Sequence, residues 1–410
     1  MAKKRNIEGE RLYHFELSDK NRAVRWVLII VLLAIGAIAI GIGINAVLNT
    51  PPGWQVITPA SGTLNCSHEF TLTYELGAGE ASATAEQKAL TLHYGTVTEK
   101  AWQIFYNEAG SVKGVNGLHT LNQHLNEEIS VEPALYQALQ KLHKNGTRAL
   151  YFGPVYNAYQ QVCNSENDFS AEESDPITNP EMKAYIAEMV AYANDPESVT
   201  LELRGNNRVF LKISADYATF LKANEINEVL NFGWLRNAFV IDYLAQELVD
   251  AGFTNGYLFS VDGFVRNLDQ RNTSYNFDLY DQKKSVGTMV YQGGISIAYL
   301  SSYPMYQGNT DQYYTYADGR TVVPYIDLND GQAKTAADQL ISYSRELSCA
   351  ELAMSMLPIY AADSLSVVLL TELTDSHVHS IWFAGKEIRH TEENLQITVS
   401  DSTVVTKKVN

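Results

Sequence analysis

The sequence predicts an α+β fold, one large mixed-sheet domain behind a single N-terminal transmembrane helix. Three observations predict it. Strand-like and helix-like segments alternate irregularly, without the steady β-α-β rhythm of a doubly wound sheet. An uncharged run, WVLIIVLLAIGAIAIGIGI, occupies Trp26 to Ile44. Of 410 residues, 46% are hydrophobic and 19% charged, which rules out a disordered chain and supplies ample core. No repeat of domain-building length is evident.

The apolar run, extended by Asn45 to Leu48, is long enough for a hydrocarbon core about 30 Å thick. Before it stand Lys3, Lys4, Arg5, Arg11, Lys20, Arg22 and Arg25 against Glu8, Glu10, Glu16 and Asp19. The positive-inside rule keeps that end, residues 1–25, in the cytoplasm. The rest holds 23 basic and 43 acidic residues, a charge of −20, as suits an exported domain. A cleavable signal peptide would have a shorter apolar stretch and head, so 26–48 reads as an uncleaved signal anchor of a single-pass cell-membrane protein. Pro51 and Pro52 end the helix. The expected organisation continues with a linker (49–67), an extracytoplasmic domain (68–400) and a tail (401–410).

Within the domain, alternation in HEFTLTYEL marks a strand over His68 to Leu76. Thr84 with Gln87 signals a capping box, opening a helix to about Glu108. Ser130 before VEPALYQALQKLH reads as the cap of a second helix. Asn164 to Glu181, polar and acidic with two prolines, reads as a surface loop. Its Asp168, Glu172, Glu173 and Asp175 lack the spacing of a calcium loop. A helix near Met182 to Asn194 precedes strands at Val199 to Leu203 and Arg208 to Ile213. Arg236 to Ala251 is helical, with Gly252 at the C′ position, and the strand Gly256 to Val261 follows. Further segments of strand composition are Thr288 to Tyr291, Ile295 to Leu300, Val322 to Ile326, Gln339 to Tyr343, Ser366 to Glu372, Ser380 to Ala384 and Leu395 to Val399. Ala350 to Tyr360 is helical.

The net charge of −17 argues against nucleic acid, which is held by Lys and Arg displacing counterions. Cys66, Cys163 and Cys349 form no CxxC pair, so thiolate zinc is excluded and three free thiols are expected over one bridge and a leftover thiol. No Walker loop, GxSxG, HExxH or GxGxxG occurs. His377 and His379 would share a strand face and offer two metal ligands, but no third is placed, and a solvated turn is the simpler reading. Tyr303, Tyr306, Tyr313, Tyr314 and Tyr316 cluster as a surface tyrosine loop would, with stacking on a sugar or flavin as the alternative.

Several segments, taken in order, resemble the ApbE-type family of FAD:protein FMN transferases. Leu121 and Asn122 followed by ISVEPALYQAL are similar to its "LN" and "V-S-x-E-L" helix. Gly153, Pro154 and Asn157 in FGPVYNAY match "V-G-P-L-x-N-L-W". NFGWLRNAFVIDYLAQELVDAGFTNGYL resembles "L-G-G-I-A-K-G-Y-A-V-D" with the helix and strand that follow. Asp327 and Gly331 in PYIDLNDG stand where the family has "H-I-I-D-P-x-T-G", and SCAELAMSM stands at "A-D-A-L-A-T-A". The resemblance covers about residues 68–390.

It implies transfer of FMN from FAD to a Thr or Ser hydroxyl of an exported protein, with magnesium neutralising the pyrophosphate. It also implies a bacterial source. Yet the family lysine aligns with Asn237, its flanking glycines with Trp234 and Ala238, and the Asp and Thr of "F-D-x-T" with Ala149 and Tyr151. "G-G-D" becomes Val261, Asp262, Gly263, "T-S-G" becomes Leu300, Ser301, Ser302, and the histidine before Asp327 becomes Pro324. The magnesium pair maps to Ala350 and Met354, neither of which offers oxygen to a hard cation. The resemblance therefore implies a retained fold and a binding or assembly role, without magnesium. The alternatives are a divergent transferase using Asp262 and Asp327, or a flavin binder holding FAD or FMN. Candidate cofactor contacts are Gly233, Asn237, Asp242, Tyr257, Ser301, Ser302, Tyr303 and Gly331, with Phe259 and Tyr299 as further cleft lining. The expected partners are the membrane and an exported protein.

Overall fold

The computed structural model describes residues 50–59, 65–281, 284–305 and 307–409. The expected anchor, 26–48, and its basic head lie outside the described residues. Among the described residues no helix is long and apolar enough to cross a membrane. The chain divides into Met1–Pro51 and a compact unit, Pro52–Asn410, and the second unit carries the elements that follow.

In chain order the strands are β1 (Gly53–Ile57), β2 (Phe70–Leu76), β3 (Glu128–Ser130), β4 (Val199–Leu203), β5 (Arg208–Ile213), β6 (Gly256–Ser260), β7 (Phe264–Asn267), β8 (Ser274–Asp281) and β9 (Lys284–Gln292). They continue with β10 (Ser296–Ser301), β11 (Tyr314–Thr315), β12 (Thr321–Val322), β13 (Gln339–Ser344), β14 (His379–Ala384), β15 (Glu387–His390), β16 (Gln396–Val399) and β17 (Val405–Lys408). The helices are α1 (Ala83–Phe105), α2 (Leu118–Gln123), α3 (Pro133–Asn145), α4 (Gly153–Cys163) and α5 (Asp168–Ser174). After them come α6 (Pro180–Asn194), α7 (Ala215–Ala223), α8 (Arg236–Asp250), α9 (Cys349–Tyr360) and α10 (Val367–Glu372).

Nine strands build the main sheet in the order β1-β2-β6-β7-β10-β13-β14-β15-β17. Its pairs are antiparallel except β15 with β17. Alternate residues of each strand face opposite sides, so one sheet serves two cores. Ala298, Leu300, Leu340 and Trp382 join the helices in the larger core. Ile297, Tyr299, Ile341, Tyr343 and Ile381 point the other way, against Tyr275, Leu279, Met289 and Tyr291 of the β16-β9-β8 sheet. Every residue of β10 and β13 is therefore buried, and neither strand shows the polar alternation of a half-exposed one.

Several elements differ from expectation because a local hydrogen bond outweighs composition. The first helix begins after Ser82, whose Oγ accepts from Ala85 N at 3.3 Å, two residues before the expected capping box. Ser130 lies in β3, and α3 starts instead at Pro133, whose fixed φ suits a first helical position. The expected loop over 164–181 contains α5, closed by a capping box at Asn167. Ser366 to Glu372, strand-like in its β-branched content, is the helix α10 because Ser366 Oγ caps it from Leu369 N at 3.3 Å. Of Val322 to Ile326, Val322 alone lies in a strand. The segment expected as linker supplies β1, and the expected tail supplies β17, so both run into the main sheet. All three cysteines are free.

Candidate functional site

Helix α8 is entered through a single tight turn, Gly233–Leu235, and carries Asn237 and Asp242. Gly233 has φ +55°, and a Cβ there would lie 2.5 Å from the Tyr156 ring, so glycine alone fits. Trp234 follows, its ring nearly parallel to Phe264 at 6.5 Å and edge-on to Tyr325 at 5.2 Å. Tyr325 in turn meets Tyr360 edge-on at 4.8 Å. Tyr313 donates to Ser301 O at 3.1 Å. Trp234, Tyr313, Tyr325 and Tyr360 are all buried, so indole and phenol rings occupy the space beside the turn.

Asn237 is 1% exposed and faces Tyr106, whose hydroxyl lies 3.5 Å from Oδ1. Its neighbour Arg236 carries the positive charge of this region. That charge is already engaged, by Glu69 at 3.0 Å and by the Tyr106 ring 4.1 Å below the guanidinium. Asp262 is buried next to them and accepts from Ser260 Oγ. Burial pushes its carboxyl up to about 6, and the Glu69 charge adds to that, while Ser260, Asn237 and Arg236 pull the other way. The Asn237 amide favours the charged form of Asp262 although its Nδ2 makes no hydrogen bond of ordinary geometry.

Asp242, one turn further along α8, has a different task. Its two carboxylate oxygens accept from Cys349 N and Ala350 N, each at 2.9 Å, and so close the start of α9. Burial raises its carboxyl above the usual range, and Lys141 opposes the shift most strongly. Ser348 completes the cap by a reciprocal pair with Glu351. The two positions that the resemblance assigns to magnesium lie on this helix. Ala350 is 0% and Met354 3% exposed, both within the larger core. Magnesium binds oxygen at about 2.1 Å, and these side chains present none.

Asp327 stands on the turn after β12. Lys334 Nζ lies 2.9 Å from Asp327 Oδ2, 2.9 Å from Asp330 Oδ2 and 2.9 Å from Asp363 Oδ1. Three carboxylates thus converge on one point, and an ammonium holds it. Although burial opposes it, hydrogen bonds from Asn329 and Lys334 hold Asp327 below the usual carboxylate range. Gly331, with φ +72°, lets the turn pass Val190, whose Cγ2 would be 2.4 Å from an added Cβ.

The remaining candidates disperse. Ser301 Oγ donates to Tyr303 O, Ser302 N donates to Asp338 O at 2.8 Å, and Tyr303 Oη accepts from Gln339. Tyr257, Phe259 and Tyr299 belong to the opposite side of the main sheet, with the β8–β9 core, and do not line the Trp234 region as expected. His377 ends a turn with φ +59° and lies 3.7 Å from Glu346, while His379 begins β14.

The matched motif residues outside this region meet at one place, the segment 228–231. Asn122 accepts from Val229 N and Leu230 N and donates to Leu230 O. Asn157 donates to Glu228 at 3.1 Å. A Cβ on Gly153 would be 2.7 Å from two carbonyl oxygens of the same segment. Sequence reasoning passed over Arg236, Glu69 and Lys334, which settle the charges of the region.

No family model and no curated protein matches the sequence. Among solved structures, the ApbE protein of Thermotoga maritima matches with a TM-score of 0.53 at 12% identity, over 85% of this chain and 97% of that one. The flavin transferase ApbE from Vibrio cholerae matches with a TM-score of 0.52 at 15% identity, over 86% and 99%. The chain therefore has the ApbE fold.

Proposed function

We propose that this protein is a membrane-anchored, extracytoplasmic module that keeps the ApbE fold without flavin transfer and serves in binding or assembly. One observation carries the reading. Matched residues that hold neighbouring segments by hydrogen bonds (Asn122, Asn157, Asp242) or let them approach closely (Gly153, Gly233, Gly331) are present, whereas the positions that would hold magnesium are the buried Ala350 and Met354. Trp234 adds to it by filling with an indole the place where a glycine would let phosphate approach. The cation beside Asp327 is a lysine already shared by three carboxylates.

Those carboxylates favour a second reading, a divergent FMN transferase drawing a metal to Asp327. It requires Lys334 to leave three ion pairs, because the ammonium sits 2.9 Å from each oxygen and no divalent ion fits beside it. The test is incubation of the purified chain with FAD, magnesium and an exported-type acceptor bearing a Thr, read by flavin fluorescence of the acceptor in a denaturing gel. No fluorescent acceptor is expected. A labelled acceptor that disappears with Asp327→Ala would establish the second reading instead.

A further inference from the structure

One end of the main sheet is uncovered among the described residues. The β16-β9-β8 sheet packs over the central strands, and beyond its β8 edge the face formed by β1, β2 and β6 is open. Trp54 and Val56, two apart on β1, are 43% and 61% exposed. Cross-strand register sets Val56 opposite Thr73 and Thr73 opposite Tyr257, so these side chains share that face. Trp54, Thr73 and Tyr257, with Phe259, Tyr275 and Phe277, border a groove of about 370 Å³ whose lining includes no charged residue among those described, and Glu75, opposite Trp54, is paired with Arg271 at 2.7 Å outside that lining. Trp54 meets Tyr275 edge-on at 5.9 Å and Tyr257 at 6.1 Å, and Tyr275 is fixed from below by its hydrogen bond to Asp269.

We propose that this open aromatic face rests on the lipid headgroup region of the membrane. The inference depends on the membrane-anchor reading of residues 26–48. If the span ends at Leu48, β1 begins at Gly53, and five residues reach at most about 18 Å even when fully extended. Trp54 is thereby confined to the neighbourhood of the bilayer surface, on an edge strand whose outer side no other described strand of the sheet occupies. Tryptophan and tyrosine favour that zone, because a ring with one polar atom is at home where hydrocarbon meets water. Charge narrows the partner further. A chain of net charge −17 gains nothing from anionic headgroups, so the uncharged groove suits a zwitterionic surface.

The experiment uses the full chain in a Trp26→Phe background, reconstituted into phosphatidylcholine vesicles with or without bromine on the upper acyl chain. Alkaline carbonate extraction reads the anchor, and tryptophan emission reads the docking. Retention in the vesicles with a bromine-dependent loss of emission that Trp54→Phe abolishes is the expected result. Retention with no such loss, or a loss unchanged by Trp54→Phe, overturns the docking and leaves the anchor standing. Release by carbonate overturns the anchor, and the docking with it. Burial of Trp54 that grows with protein density and ignores bromine assigns the face to a second copy of the chain, which also overturns the proposal.

Discussion

Asp242 and Asp262 are both acidic, both near α8 and both raised by burial, yet they do different things. Asp242 directs its oxygens to two backbone N–H groups, a cost in desolvation that the start of α9 offsets. Asp262 has a serine hydroxyl and a poorly aligned amide, which leaves its carboxyl at about 6. An unfolded Asp titrates near 3.9, so the folded state holds the proton more tightly. Its stabilising contribution is complete below about pH 4 and is lost as pH rises through about 6. Urea denaturation from pH 4 to 7 should therefore show the wild type losing roughly 2 kcal/mol relative to Asp262→Asn. Parallel profiles of the two proteins would mean that burial does not raise the Asp262 carboxyl. The sequence displayed both residues as acids. It could not display which one would find backbone donors, since those come from a helix more than a hundred residues away.

Elements were legible where periodicity and capping agreed and illegible where they conflicted. Strands β2, β4 and β5 and helix α8 fall where alternation and apolar spacing put them. Helix α10 does not, because Val367 and Val368 argue for a strand until Ser366 closes the first turn. The turn into α8 shows how much one residue can decide. Gly233→Ala places a methyl 2.5 Å from the Tyr156 ring and asks alanine to adopt φ +55°, a combination expected to cost about 2–4 kcal/mol. Gly385→Ala is the control, because Gly385 has a similar φ of +61° with open space around it and should lose about 1 kcal/mol. Equal losses in thermal or urea unfolding would show that the Tyr156 contact is loose and that Gly233 was retained for some other reason.

At the scale of the whole molecule, a nine-stranded sheet carries a core on each face. Packing constrains buried positions jointly, and the fold is shared at 12–15% identity. Ala350 and Met354 take part in that packing as buried members of the larger core. The fold was legible in residues such as Asn122 and Asn157, which hold the segment 228–231, while the contents of the candidate site needed geometry to show Trp234 among buried rings and Lys334 on the carboxylates. The most direct measurement is a titration of the purified protein with FAD, followed by flavin fluorescence, with and without magnesium. The account predicts no magnesium-dependent binding, because the carboxylates beside Asp327 are held by Lys334 rather than left for the ion that would neutralise a pyrophosphate. Saturable binding that magnesium strengthens and Asp327→Ala removes would contradict it.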